Sequence, residues 1–215
     1  MSGLSGLFSL LLWLAGVVAV IATILHLFFV RVAMTSEDNM APGLLAGERI
    51  VLWRNADLGL SDIAVCKHPG RDQYVIGRVV ATAGMTISAG SKIQSTARSG
   101  PYIVSGDVPE VESKGTIDFI DQRSGHTLPM LWGLISYGGH DHAWMIRPRD
   151  ALRIAPTKVK TGIYLLNDNR SFRGSDSRSF GEVDPRTCLG HVFFRLQPAY
   201  PPRTDIAHGW LEIVD

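Results

Sequence analysis

No charged residue precedes Arg31: all 21 Lys and Arg and all 20 Asp and Glu lie in the rest of the chain. There are only two cysteines, Cys66 and Cys188, without the C-x-x-C spacing of a zinc or thioredoxin-type site. The charges nearly cancel, to +1 at pH 7, which removes the electrostatic argument for a nucleic-acid partner. A glycine-rich phosphate loop is missing, Gly84 and Gly90 being isolated turn glycines. No internal repeat is visible, and no uncharged helical stripe follows residue 40.

What is present begins with an apolar run. Residues 4–30 are interrupted only by His26 and small polar residues. At a helical rise of about 1.5 Å per residue this crosses a hydrocarbon core of about 30 Å. A cleaved signal peptide needs a basic n-region, a shorter apolar core and a small-residue cleavage site, none of which is evident. The run is read as an uncleaved transmembrane anchor. Arg31 alone leans the charge rule toward a cytoplasmic C-terminus. Cys66 and Cys188 read as small buried thiols in preference to a bridge.

Beyond the anchor, short runs rich in Val, Ile and Leu alternate with turn residues: Arg49–Trp53, Ile63–Cys66, Tyr74–Val80, Thr161–Leu166 and Gly190–Leu196. The expected class is therefore mostly β. Residues 88–155 are broken often by Gly, Ser and Pro, and read as a smaller lobe inserted between two halves of one β domain, 31–87 and 156–196. Residues 197–215 open with the proline-rich Gln197–Arg203 and read as a C-terminal tail, a surface or extended segment.

Four boxes follow the anchor in order. The first is Asn39-Met40-Ala41-Pro42-Gly43-Leu44-Leu45-Ala46-Gly47-Glu48, and the second Ser61-Asp62-Ile63-Ala64-Val65-Cys66-Lys67-His68-Pro69. The third is Gly77-Arg78-Val79-Val80-Ala81-Thr82-Ala83-Gly84, and the fourth joins Asn167-Asp168-Asn169-Arg170 to Asp176-Ser177-Arg178-Ser179-Phe180-Gly181. Behind a single span, these resemble the boxes of the bacterial type I signal peptidases: S-M-x-P-T-L-x-x-G-D, G-D-I-V-V-F-K-x-P, K-R-V-I-G-L-P-G-D and G-D-N-R…D-S-R-x-W/F-G. The resemblance implies a signal-peptidase-like antiparallel β domain with an inserted smaller lobe. It also implies a single-pass protein of the bacterial inner membrane with its β domain outside the cytoplasm, an orientation preferred here over the weak charge signal.

In that family a Ser hydroxyl attacks the scissile carbonyl and a Lys kept neutral by burial takes the proton, so no cofactor is required. The matching positions here are Asn39 for the serine and Gly77 for the lysine, neither of which can perform the step. A family hydroxyl two residues before the serine helps hold the oxyanion, and Glu37 at that position would repel it. One extra residue between Arg170 and Asp176 obscures the family's lysine-orienting serine. The remaining box residues match as structural ones: Met40, Pro42, Arg78, Asp168, Asn169, Arg170, Asp176, Ser177 and Arg178.

The expectation is a catalytically inactive signal-peptidase-like membrane protein with a protein partner, either an exported polypeptide or a subunit of a membrane complex. Strand addition in the family's groove needs no dyad, so binding can outlive catalysis. Two alternatives stand beside it. One is an active processing peptidase with a relocated nucleophile, Thr35 or Ser36, and Lys67, Lys158 or Lys160 as base. The other is an extracytoplasmic metal-handling domain built on His140 and His142, which alternation along a strand places on one face, with His126, Met130 and Met145 in the same lobe. Trp132, Tyr137 and Trp144 read as lobe packing or a partner-facing patch.

Overall fold

The apolar run folds as helix α1 (Ser2–Phe28), whose stretch Gly6–Ile24 is long and apolar enough to cross a membrane and is left unburied by the described residues. The computed structural model describes residues 2–54, 57–89, 102–104, 110–137, 139–150 and 154–214. The Gly90 turn and parts of the 88–155 lobe lie outside the described residues.

Phe29 alone separates α1 from β1 (Val30–Met34). There follow β2 (Arg49–Trp53), β3 (Ile63–Lys67), β4 (Tyr74–Thr82), β5 (Thr86–Ala89), β6 (Tyr102–Val104), β7 (Glu110–Ile120), β8 (Thr127–Tyr137) and β9 (His140–Ile146). The chain ends with β10 (Thr157–Lys158), β11 (Ile163–Leu166), the short helix α2 (Ser177–Phe180), β12 (Cys188–Gln197) and β13 (Glu212–Ile213). All five sequence-predicted strands are present, each within a few residues of its expected bounds.

The main sheet runs β1-β2-β12-β3-β4-β11, with β13 on β12, and every pairing in it is antiparallel. Its inner strands read as continuous Val, Ile and Leu because both faces are covered: Ile50, Leu52, Ile63 and Val192 pack on one side, and Ala64, Val75, Val79 and Leu165 on the other. Strand β12 lies between β2 and β3, so the last part of the chain joins two strands from the first. A second sheet, β7-β8-β9, and a small one, β10-β5-β6, complete the architecture. One core of Val80, Ile87, Ile135, Trp144, Tyr164 and Leu166 ties the three sheets together. Trp144 is buried in that core with Tyr137 against it, while Trp132 packs on a neighbouring cluster.

The reading of Cys66 and Cys188 as free buried thiols is corrected. They are directly opposed on β3 and β12 and form a disulfide across a sequence separation of 122. Strand register makes the pair, and register between distant strands is invisible in the spacing of two cysteines.

The C-terminal segment is extended, and it returns across the domain. Ala199 and Ile206 join the cluster of Ala41, Leu45, Phe119 and Met130, and β13 adds to β12.

Candidate functional site

The first box folds as a tight 3-10 turn, Asp38–Met40, in which all three side chains are buried. Asn39 uses its amide Nδ2 to donate to the carbonyl of Ile76 on β4 at 3.0 Å and to Asn167 Oδ1 at 3.4 Å. Its own carbonyl accepts from the backbone N–H of Asn169 at 3.0 Å. The side chain thus bridges the turn, the start of β4 and the loop after β11. Gly77 follows Ile76. A Cβ placed there would stand 3.0 Å from Leu165 Cβ and 3.5 Å from the Leu166 carbonyl, because β11 packs directly over the glycine. β11 pairs with β4 only over Arg78–Thr82, so the edge of Tyr74–Gly77 is met by the 3-10 turn and not by a strand.

Asp38 is gripped from the C-terminal segment. Arg203 Nη1 donates to both carboxylate oxygens at 2.9 Å, while its Nη2 donates to the Ile120 carbonyl at 2.6 Å and its guanidinium lies 4.7 Å over the Phe119 ring. Asp205 completes the cluster by accepting from Arg203 and from Ile120 N–H. The desolvation cost of its burial is outweighed by these donors, so its carboxyl is held below the usual range. This clamp joins the 3-10 turn to β7. Nothing in the proline-rich sequence flags it beyond the Arg-x-Asp spacing.

Glu37 pairs with Arg123 from the β7–β8 turn, whose guanidinium stacks 4.6 Å over Phe172. Between these groups lies a cleft of about 210 Å³ whose apolar wall is Phe119, Leu128, Met130 and Phe172. Asp38 and Asn169, the neighbours of Asn39 in sequence and in space, also line it.

The charged box residues form a buried brace. Arg78 is 1% exposed and donates from Nε and Nη2 to Asp168, with Nη2 to Oδ2 at 2.8 Å, and from Nη1 to the Ser61 carbonyl at 2.7 Å. Arg178 pairs with Asp176 at 2.7 Å and donates to the carbonyls of Arg170 and Phe172, fixing the loop that carries Asn169. Asp176 also caps α2 and accepts from Asn167 N–H at 3.1 Å. Ser175 Oγ accepts from Asn167 Nδ2 at 2.9 Å, and Ser177 Oγ accepts from Leu165 N–H at 2.9 Å. Met40 is buried in the core beneath the turn, and Pro42 follows a cis peptide bond.

His140 and His142 part company. His140 is exposed at the start of β9, where it lines a small surface cleft, whereas His142 is 2% exposed and neither of its ring nitrogens meets a hydrogen-bond partner among the described residues. Burial, and then the nearby guanidiniums of Arg78 and Arg170, hold the His142 imidazole far below its ordinary pKa. A metal ion there would meet the same two cations. Among the described residues no group of three His, Cys, Asp or Glu side chains is placed to hold a metal.

Over residues 8–197, most of its length, the sequence matches the family model described as Signal peptidase, peptidase S26. The chain belongs to the signal peptidase family. A comparison with curated proteins found no match. Membership fits the anchor helix and the antiparallel sheet that follows it. Of the residues weighed as a relocated dyad, Thr35 is buried, with its hydroxyl donated to the carbonyls of Leu45 and Glu48. Ser36 is exposed one residue before Glu37. Lys67 lies at the far end of β3, paired with Asp72 at 3.0 Å, and Lys158 and Lys160 are exposed around β10. The site therefore gathers Asn39, Gly77 and the brace, and leaves Lys67, Lys158 and Lys160 outside it.

Proposed function

We propose that this signal peptidase family member does not cut the chain it meets but holds it, as a binding or assembly subunit anchored in the bacterial cytoplasmic membrane. One observation carries the reading: at the position matching the family's serine, the Asn39 amide is tied to Ile76 and Asn167, and the position matching the lysine is a glycine packed under β11. An amide in this arrangement is no nucleophile, and among the described residues no lysine stands beside it to serve as a base. A general-base lysine needs its pKa depressed by burial, yet Lys67, Lys114, Lys158 and Lys160 are all exposed. Hydrogen bonding to Asp72 moves Lys67 the other way, upward.

What the fold keeps is a rigid frame with a cleft along it. The Arg78–Asp168 and Arg178–Asp176 pairs fix the 3-10 turn and the loop after β11, and the half-buried Leu128 and Phe172 are the part of the cleft wall that a side chain from a bound polypeptide would meet. The disulfide supports placing the β domain on the extracytoplasmic side, since such bonds persist in oxidising compartments.

The test is purification of the full-length protein from its native membranes in mild detergent, with stoichiometry measured. A near-stoichiometric partner is expected for the natural sequence. It should be lost, at least about tenfold, on Leu128→Asp in the cleft wall, because a desolvated apolar contact is being replaced by a charge. Retention of the partner by that variant removes the cleft from the account, and isolation of the protein alone removes the binding role.

A further inference from the structure

The cleft beside Asn39 lies where several connections meet: the 3-10 turn, the β7–β8 turn with Arg123, the end of β9 with Arg147, and the loop after β11 with Phe172 and Arg173. Its wall is fixed in advance of any ligand. The Phe172 N–H donates to the Asn169 carbonyl at 3.0 Å, the Phe172 carbonyl accepts from Arg178 at 2.6 Å, and the Arg147 N–H donates to Ser171 Oγ at 2.7 Å. Phe119 and Met130 are buried beneath, so an entering group meets the half-buried Leu128 and Phe172, with the exposed Arg147 and Arg173 beside them.

Charge narrows the choice of occupant. Arg123 is paired with Glu37, Arg147 with Asp150 at 2.9 Å, and Arg203 with both Asp38 and Asp205. Asp121 accepts from the Ser124 hydroxyl at 2.7 Å and from the Arg123 N–H at 3.2 Å. Even with Arg173 added, the guanidiniums do not outnumber the carboxylates, so no positive field is left to hold an acidic group. Each carboxylate already accepts from a donor, so none stands idle for a cation. The occupant is therefore neutral.

Guanidiniums whose charge is matched still offer flat faces, and the cleft shows that pairing twice. Arg123 lies 4.6 Å over the Phe172 ring and Arg203 lies 4.7 Å over the Phe119 ring. Arg147 is fastened to Asp150, whereas Arg173 has no ion-pair partner among the described residues. Size agrees with a ring: an apolar cavity of about 150 Å³ takes up benzene, and this cleft measures about 210 Å³. Recognition through the backbone is closed off nearby, because Asn39 Nδ2 already holds the Ile76 carbonyl, the acceptor that an added strand would use on the edge of β4.

We infer that the cleft is a socket for one aromatic side chain of a bound polypeptide, with Leu128 and Phe172 against the ring and the Arg173 guanidinium stacked over it. The inference rests on the holding role proposed above and names the residue type that role recognises.

The experiment uses the full chain in mild detergent and a pentapeptide, acetyl-Gly-Ser-Xaa-Ser-Gly-amide, with 4-fluorophenylalanine at the centre, its binding followed by fluorine NMR. Saturable broadening at millimolar peptide is expected. The Phe peptide should displace the probe at least about threefold better than the Leu peptide and about tenfold better than the Ala or Glu peptide. Arg173→Gln, at an exposed side chain, should weaken the probe about two- to fivefold, and Leu128→Asp at least about tenfold. Absence of saturable binding, displacement by the Leu or Glu peptide as readily as by Phe, or unchanged affinity in either variant overturns the inference. A native partner that copurifies with a protein unable to bind these peptides removes the socket and leaves the holding role. Selective binding of the aromatic peptide by a protein that purifies alone keeps the socket and removes that role.

Discussion

Removing the disulfide with Cys66→Ala and Cys188→Ala tests whether β3 and β12 are as firmly registered as the fold requires. The bond closes a loop of sequence separation 122, and in the chain-entropy account such a loop is worth about 5 kcal/mol at 25 °C through restriction of the unfolded chain. Measured losses for native disulfides run from about 2 to 5 kcal/mol, and that range is expected here. Strand β12 is also held by β2 and by β13, so the reduced domain keeps its topology and loses stability. With a urea m-value of about 2 kcal/mol/M the transition of the full-length protein in detergent, followed by tryptophan emission, should move down by about 1–2.5 M. Alkylation of the natural protein before reduction should find no free thiol. A midpoint shift below about 0.3 M, with the m-value unchanged, would refute the reasoning.

Three further outcomes are expected. Asp168→Ala leaves the Arg78 guanidinium, 1% exposed, without its carboxylate, and should cost about 3–5 kcal/mol in the same unfolding assay, far more than removal of the exposed Asp72 from Lys67. Gly77→Lys must push its Cβ against Leu165 at 3.0 Å, so it should cost about 1–3 kcal/mol, and Asn39→Ser with Gly77→Lys should not cleave a preprotein; cleavage at undiminished stability would contradict the crowding. His142 is neutral in the folded protein because burial and two guanidiniums depress its pKa, whereas it protonates near pH 6.5 once unfolded. The unfolded state then binds the extra proton, so stability falls with pH below that value, by up to about 1.4 kcal/mol per unit, and His142→Gln should remove that part of the slope.

The strands and the anchor were legible because each is a local signal: an uncharged run of spanning length, and β-branched runs bounded by turn residues. Box order singled out Asn39 and Gly77, and the structure sets them close together at the start of β4. What the structure adds is how the amide is used, since the Ile76 carbonyl becomes its acceptor only when the turn packs on the edge of β4. The disulfide was misread because it depends on the pairing of β3 with β12. His140 and His142 were placed correctly on one strand, but the alternation rule ignores that the strand begins outside the core, so only His142 is covered. Beyond its spacing to Asp205, Arg203 gave no signal in sequence, because its partners Asp38 and Ile120 lie far away in the chain.

The most direct test of a holding role is a cleavage assay: the full chain in vesicles, a membrane preprotein with an intact signal peptide, and product followed over time. No product above the preprotein alone is predicted. Product that forms with the natural protein and disappears on Ser36→Ala or Thr35→Ala would contradict the account.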